Sequence, residues 1–283
     1  MVGRFLSDHI LFILGDFDPK NSDSVRDRFG HYWLDRDGQR HVYLHGMSLS
    51  DDIQKTEKLL RCHAFIEEYD VPKDNPWAAV SDLVATLKFR KGNQRFIKNI
   101  KSIIFNMSEF IQGLYRRIVK HRPQLMHAKK VQIHCMLEQL PDPNSRVTLS
   151  KEKSDVLGMP ISVIDWKISE LERKTAIRMR ELICQEFLRL GLPTPKILPH
   201  LDDDASWKSF SSEKAHPTGT TRLSDDPNKG VVDTNLQVHG IEGLFVAGSS
   251  VFPTAGAANP TLMIVALAIR LADHMKLSYF NKV

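Results

Sequence analysis

Between Ala215 and Met263 the chain reads AHPTGTTRL (215–223), GVVDTNLQVHG (230–240), LFVAGSSVFP (244–253) and AANPTLM (257–263). Leu244-Phe245-Val246-Ala247 is a short continuous apolar run, the pattern of a buried strand. Gly248-Ser249-Ser250 follows at once. Small residues there either let the backbone approach a ligand closely or simply make a tight turn, and open α/β sheets take ligands at the carboxyl ends of their strands. Asn259-Pro260 predicts the start of a helix running to about Lys276, with Asn as N-cap and Pro as first helical residue. Leu262 to Ile269 is apolar on every side, so this helix is expected to be buried. The N-terminus of such a helix presents free N–H groups and a partial positive charge, suited to an anionic ligand edge. His216 lies in the first block. A histidine near its ordinary pKa of ~6.5 can take a hydroxyl proton at neutral pH. Asn259 can hydrogen-bond the same oxygen but cannot titrate.

Working outward, Ser169 is placed to cap a helix with Glu172 at the capping-box position, and Gly191 and Pro193 stop it. Val131 to Leu137, Arg146 to Leu149 and Ile161 to Ile168 read as strands, with a turn at Pro141-Asp142-Pro143-Asn144. His41 to Leu44 alternates like a strand, which puts His41, Tyr43 and His45 on one face. From Arg95 to Val119 apolar residues recur every three or four positions, predicting an amphipathic helix interrupted near Ser108 or Gly113 and ended by Pro123. Further turns are expected at Asp16-Phe17-Asp18-Pro19, Arg36-Asp37-Gly38 and Val71-Pro72-Lys73-Asp74. The run Asp202-Asp203-Asp204 reads as an exposed loop. Strands between helices point to an α+β or α/β fold.

With 283 residues, 42% hydrophobic and 26% charged, the chain has an ordinary globular composition. No apolar run reaches the ~18–20 residues of a bilayer span, and MVGRFLSDH does not form a secretory signal. Cys62, Cys135 and Cys184 are widely separated, so a disulfide framework is not expected and a reducing cytoplasm is the default. The neighbours Cys62-His63 and His134-Cys135 lack metal-ligand spacing, and no metal site is expected. The net charge is +5, and twelve Lys/Arg face one acid, Glu109, between Lys88 and Lys130. Such a patch meets nucleic acid, anionic lipid or an acidic protein surface, or is the solvated face of a helix. No nucleic-acid motif accompanies it, so no nucleic-acid partner is expected. A serine hydrolase fits poorly, because G-x-S-x-G is absent.

The four C-terminal blocks, in this order and spacing, resemble the C-terminal signature of the glucose–methanol–choline (GMC) flavoprotein oxidoreductases. Val2-Gly3-Arg4-Phe5-Leu6-Ser7-Asp8-His9 is similar to the segment where the family's chain enters its substrate domain. Glu138-Gln139 through Arg146-Val147, then Leu157-Gly158-Met159-Pro160, resembles a later stretch of that domain. The resemblance implies a substrate domain, an antiparallel sheet with helices, over residues 1–212, including the basic helical segment of about 88–130. Residues 213–283 would be the C-terminal strand–loop–helix part of an FAD-binding Rossmann-like domain. It implies His216, in H-x-x-G-T, as the catalytic base and Asn259 as its partner on the substrate oxygen, with hydride passing from carbon to flavin N5. Gly248, Ser249, Pro260, Thr261 and Leu262 are the implied cofactor-facing residues.

The substrate implied is a small alcohol, sugar or polyol. The chain departs from the family at Leu223-Ser224, where a Met-Gly pair is common, and it contains no G-x-G-x-x-G fingerprint. The FAD site is therefore incomplete in this chain alone, and a complementary N-terminal flavin-binding polypeptide is the expected partner. Peripheral membrane contact through the basic segment is a further possibility. The alternative is a non-catalytic remnant or interaction protein that keeps the C-terminal fold.

Overall fold

The computed structural model describes residues 1–70, 76–89, 96–125 and 128–280; the turn expected at Val71–Asp74 lies outside them. In chain order the elements are β1 (Ile10–Phe17), α1 (Asp23–Phe29), β2 (His31–Arg36), β3 (Gln39–Leu44), β4 (Met47–Ser48), α2 (Asp51–Glu57) and β5 (Cys62–Tyr69). Helices α3 (Pro76–Phe89), α4 (Phe96–Phe105) and α5 (Met107–Ile118) precede β6 (Lys130–Leu137), β7 (Arg146–Ser154) and β8 (Pro160–Asp165). Then come α6 (Glu170–Arg189), β9 (Lys196–Ile197), β10 (Ser212–Glu213) and α7 (Thr261–Met275). The fold is α+β.

A six-stranded sheet of order β10-β1-β6-β5-β4 carries the centre, with β9 also on β1; every pairing is antiparallel. Ile10, Phe12 and Leu14 of β1 and Val131, Ile133, Cys135 and Leu137 of β6 face one cluster, closed by Ala176, Met179, Ile183 and Phe187 of α6. Phe29 and Phe187 stack at 5.3 Å between ring centroids. At Gly15, where the β1–β6 register shifts, a side chain would meet the Lys196 carbonyl at 2.7 Å, so β9 can approach only a glycine. The expected strand at 131–137 and the hairpin strands β7 and β8 are present, although β8 ends at Asp165 rather than Ile168.

Helix α6 starts at the predicted capping box: Leu171 N–H donates to Ser169 Oγ and Ser169 N–H to Glu172 Oε2. The second oxygen of buried Glu172 accepts the Leu140 N–H at 2.8 Å, which ties the helix to the end of β6. The acidic run is exposed, as expected, and still makes contacts. Asp202 pairs with Arg180 at 2.6 Å and Asp204 with Arg173 at 2.5 Å, so two of its three carboxylates clamp α6.

Two predicted features of the C-terminal region are corrected. Leu244–Ala247 is not a buried strand: Leu244 is 48% exposed, and the run makes one antiparallel bridge, Phe245 with Gln237. Among the described residues no strand lies beside it to complete a ladder. Helix α7 is not buried, and Asn259 does not cap it. Pro260 occupies the N-cap position, with no side-chain cap. Leu262 is 78% exposed, and Met263, Val265 and Ile269 are exposed too. One stripe, with Leu271 buried and Ile264 and Leu267 partly so, packs on a second cluster of Val231, Val232, Leu236, Val251 and Phe252. That cluster is too small to cover the other faces.

The amphipathic segment breaks at Asn106, between α4 and α5, where the backbone leaves helical geometry (φ −113°, ψ 38°), close to the break expected near Ser108 and not at Gly113. Gly113 stays helical and is needed there because a side chain would run into the Trp77 indole. Part of the basic patch turns inward. Arg116 and Lys120 bind Asp27, Arg122 donates to the Asp27 carbonyl, and the Arg117 guanidinium lies over the Trp33 and Trp77 rings at 5.5 and 5.1 Å. These charges hold α5 against α1 and β2. Among the described residues no helix is long and apolar enough to cross a membrane, and no three His, Cys, Asp or Glu side chains gather as a metal set.

Candidate active site

The N-terminal segment and the H-x-x-G-T block run side by side. Gly3 N–H donates to the Thr220 carbonyl at 2.8 Å, and Ser7 and Thr218 exchange backbone hydrogen bonds of 3.1 and 2.8 Å. Leu6 N–H bonds the Ser145 carbonyl at 2.8 Å, which joins the same segment to the start of β7. Gly219 has φ +88° and its missing Cβ would overlap the Phe5 carbonyl, so the glycine of this block is demanded twice over.

Asp8 is the knot of this seam. Its buried carboxylate accepts the backbone N–H of His9 at 2.6 Å and that of His216 at 3.0 and 3.2 Å. Its own N–H donates to Gln139 Oε1 at 3.0 Å, and Trp166 Nε1 donates to the same oxygen at 2.8 Å. Just before His216, Ala215 is held in the left-handed region (φ 55°), a conformation that costs a non-glycine residue about 1 kcal/mol or more. The flanking hydrogen bonds impose it.

The His216 ring is half-buried, with its Nδ1 3.1 Å from Nδ1 of His9 and the two rings edge to face at 5.0 Å. His9 Nε2 lies 3.3 Å from the Ala255 carbonyl. Burial pushes the His9 pKa below its ordinary value and the nearby His216 adds to this, against the opposing pull of the Ala255 and Gly256 carbonyls and Asp8. His63 is lowered as well, first by burial and then by His9.

Two of the four C-terminal blocks, the first and the third, meet here. Ser249 Oγ donates to the Pro217 carbonyl at 2.7 Å, Thr221 N–H to the Ser250 carbonyl at 2.9 Å, and Leu223 N–H to the Val251 carbonyl at 2.8 Å. Gly248 has φ +122° and open space where a Cβ would stand. Ala255, between the third and fourth blocks, sets its carbonyl against His9. Asn259 is exposed, and among the described residues no hydrogen bond joins it to His216. Pro260 is buried, while Thr261 and Leu262 form the exposed first turn of α7. That first turn has no side-chain cap, leaving helix N–H groups for an outside acceptor. The open Gly248 and this uncapped turn fit the edge of a flavin ring.

Sequence reasoning placed His216 in the site but gave no role to Asp8, His9 or Gln139. Asp8 and His9 were visible as the end of the VGRFLSDH segment, and Gln139 as part of Glu138-Gln139. The pairing of residues about 207 positions apart has no periodic signal, so only the folded chain reveals it.

Residues 141–268 match the family model for GMC oxidoreductase. The large subunit of fructose dehydrogenase from Gluconobacter japonicus is 30% identical over 167 residues, 59% of this chain and 29% of that protein. The C-glycoside 3-oxidase of Microbacterium trichothecenolyticum is 35% identical over 133 residues, 47% of this chain and 24% of that protein. A crystal structure of formate oxidase aligns with 99% of this chain and 48% of its own, at 19% identity and a TM-score of 0.47. The matched stretch thus spans less than a third of the length of these two curated relatives. Over residues 141–268 the chain carries the C-terminal domain of the GMC oxidoreductases.

Proposed function

We propose that this chain is the C-terminal part of an FAD-dependent GMC enzyme that oxidises a CH–OH group of a sugar, polyol or other alcohol. The observation that carries this reading is the seam at His216: a half-buried imidazole fixed by Asp8 and His9, beside Gly248, Ser249 and the uncapped start of α7. The names of the relatives support a sugar-like substrate, since they act on fructose, on C-glycosides and, for the Streptomyces fradiae relative, on paromamine. Residues 1–212 would form the substrate side and 213–283 would contribute to the flavin side.

In this mechanism His216 accepts the hydroxyl proton as the C–H bond breaks, and Asn259 donates a hydrogen bond to the same oxygen once the first turn of α7 is covered. Gly248, Ser249, Pro260, Thr261 and Leu262 would line the ring edge, with the N–H groups of the uncapped turn favouring negative charge there. Bound FAD would supply the acceptor for the two electrons that leave with the carbon-bound hydrogen. The adenine-side contacts would come from a complementary flavin-binding polypeptide; that the first relative is named as a large subunit supports an assembly.

Two measurements test this. Purified alone, the chain should retain little flavin after desalting; a stoichiometric yellow band would remove the need for a partner. With the complementary polypeptide present, His216→Ala should slow flavin reduction in stopped flow by about 10²–10⁴-fold, the usual loss of a general base. Near-normal reduction would show that the base lies elsewhere. Asn259→Ala should lose less, since it removes one hydrogen bond.

A further inference from the structure

We propose that His9 is a positioning residue that sets the tautomer of His216, accepting the His216 Nδ1–H so that the lone pair of His216 stays on Nε2. The inference deepens the reading of His216 as the base and rests on it only for its functional meaning.

The Ala255 carbonyl can only accept, so the hydrogen in its contact with His9 belongs to His9 Nε2. His9 is fully buried, and burial together with the neighbouring His216 holds it neutral at ordinary pH. A neutral imidazole carries one N–H, so His9 Nδ1 is a bare acceptor. The 3.1 Å contact between the two Nδ1 atoms then requires its hydrogen to sit on His216. Which nitrogen of a histidine carries the proton is set by the hydrogen bond the other nitrogen makes.

The backbone holds both rings in place. The Asp8 carboxylate takes the N–H of His9 and of His216, fixing both backbones to one anchor. His63, the other titratable side chain facing His9, is itself kept below its ordinary pKa by burial. Among the described residues, the charged and titratable neighbours of His9 are therefore Asp8, His63 and His216. When His216 accepts a proton on Nε2, its Nδ1–H bond to His9 persists, so no ring has to turn. If His9 carried a second proton, its Nδ1 would donate instead. His216 would then hold its own hydrogen on Nε2 and could accept nothing there.

The test reads the tautomer directly. The chain is labelled with ¹⁵N-histidine, and two-bond ¹H–¹⁵N correlations of the rings are recorded near neutral pH, with His216→Gln used to assign the His216 ring. The wild-type chain should show His216 protonated on Nδ1 and His9 on Nε2. His9→Leu should move the His216 hydrogen to Nε2, and His9→Asn, whose side-chain oxygen can stand in for the lost Nδ1 acceptor, should return it to Nδ1. A purely structural role for His9 would not produce that shift and rescue. Circular dichroism checks that each variant folds; should His9→Leu not fold, the wild-type spectrum and His9→Asn decide alone. Wild-type His216 protonated on Nε2, or a folded His9→Leu that leaves the tautomer unchanged, overturns the proposal. A His216 that is protonated on Nδ1 yet dispensable for flavin reduction would overturn the base assignment and leave this inference standing.

Discussion

Strand β6 and helix α7 are both made mainly of apolar residues, yet they lie on opposite sides of the water boundary. In β6, Val131, Ile133, Cys135 and Leu137 are fully buried, and even Gln132 and His134 on the opposite face are covered. In α7 only Leu271 is buried, while Leu262, Met263, Val265 and Ile269 stand in solvent. Strand β6 has β1 on one side, β5 on the other and α6 across one face. Helix α7 has a single small cluster behind it. Apolar sequence therefore states a demand for burial, and the rest of the fold decides whether it is met. In the proposed assembly the complementary polypeptide meets it for α7. The two regions differ in where their stability comes from, and substitutions in each should show it.

The largest effect is expected in the sheet region. Trp207 is 1% exposed, its ring 6.1 Å from that of Phe12, with its Nε1–H on Glu170. Trp207→Ala removes that packing and should cost about 3–5 kcal/mol, read as a fall in the urea midpoint. A loss below about 1 kcal/mol would mean that the site collapses around the gap, and that the contrast with α7 is overdrawn.

The seam between the regions comes next. Asp8→Ala leaves the N–H groups of His9 and His216 without their acceptor, a loss of about 1–3 kcal/mol for buried donors. Amide exchange should quicken at His216 and the neighbouring Thr218 before it quickens in β6. Uniform acceleration throughout the chain would instead make Asp8 part of the sheet's own stability.

Legibility in the sequence follows the same division. The capping box of α6, strand β6 and the β7–β8 hairpin depend on residues near one another in the chain, and their patterns carry over directly. The α7 expectation failed for both cover and cap: all-round apolarity says that a helix seeks cover, not that its own chain supplies it, and Pro260 rather than Asn259 takes the N-cap position. The break at Asn106 falls close to Ser108, as expected, though no Gly or Pro marks the residue itself. In the proposed site, His216 is singled out by the H-x-x-G-T block through the family resemblance. Asp8, His9 and Gln139 were not given roles, since their partners come from segments far apart in sequence.

A smaller and more general effect concerns pH. His9, His63, His134 and His200 all have pKa values lowered from 6.5, chiefly by burial. Below 6.5 the unfolded chain takes up protons that the folded chain refuses, so unfolding binds protons and stability falls as the pH drops. The loss should begin near pH 6.5 and level off once the folded histidines titrate. Asp202, lowered by its Arg180 hydrogen bond, has a separate window below 3.8. Asp27 shares that window: burial pushes it up, and Arg116 and Lys120 together outweigh that push. Urea midpoints that stay constant from about pH 7.5 to about pH 5.5 would show that the four histidines are hydrated enough to protonate in place.

The smallest effect in the isolated chain should come from α7, and it is the most telling. Val265 and Ile269 lie four residues apart on one face, and both are exposed. Glutamine matches good helix formers in propensity, so Val265→Gln and Ile269→Gln test burial rather than helix formation. In this chain alone each should shift stability by no more than about 0.5 kcal/mol, as for other exposed positions. If the complementary polypeptide covers this face, each change instead forfeits the burial of an aliphatic side chain, about 1.5–3 kcal/mol. That corresponds to roughly 10- to 100-fold weaker assembly, measurable by titrating one polypeptide with the other. A large effect in the isolated chain would mean that α7 is already packed. No effect in either setting would move the complementary polypeptide off this face, leaving the uncapped first turn at Thr261 as its remaining contact with the helix.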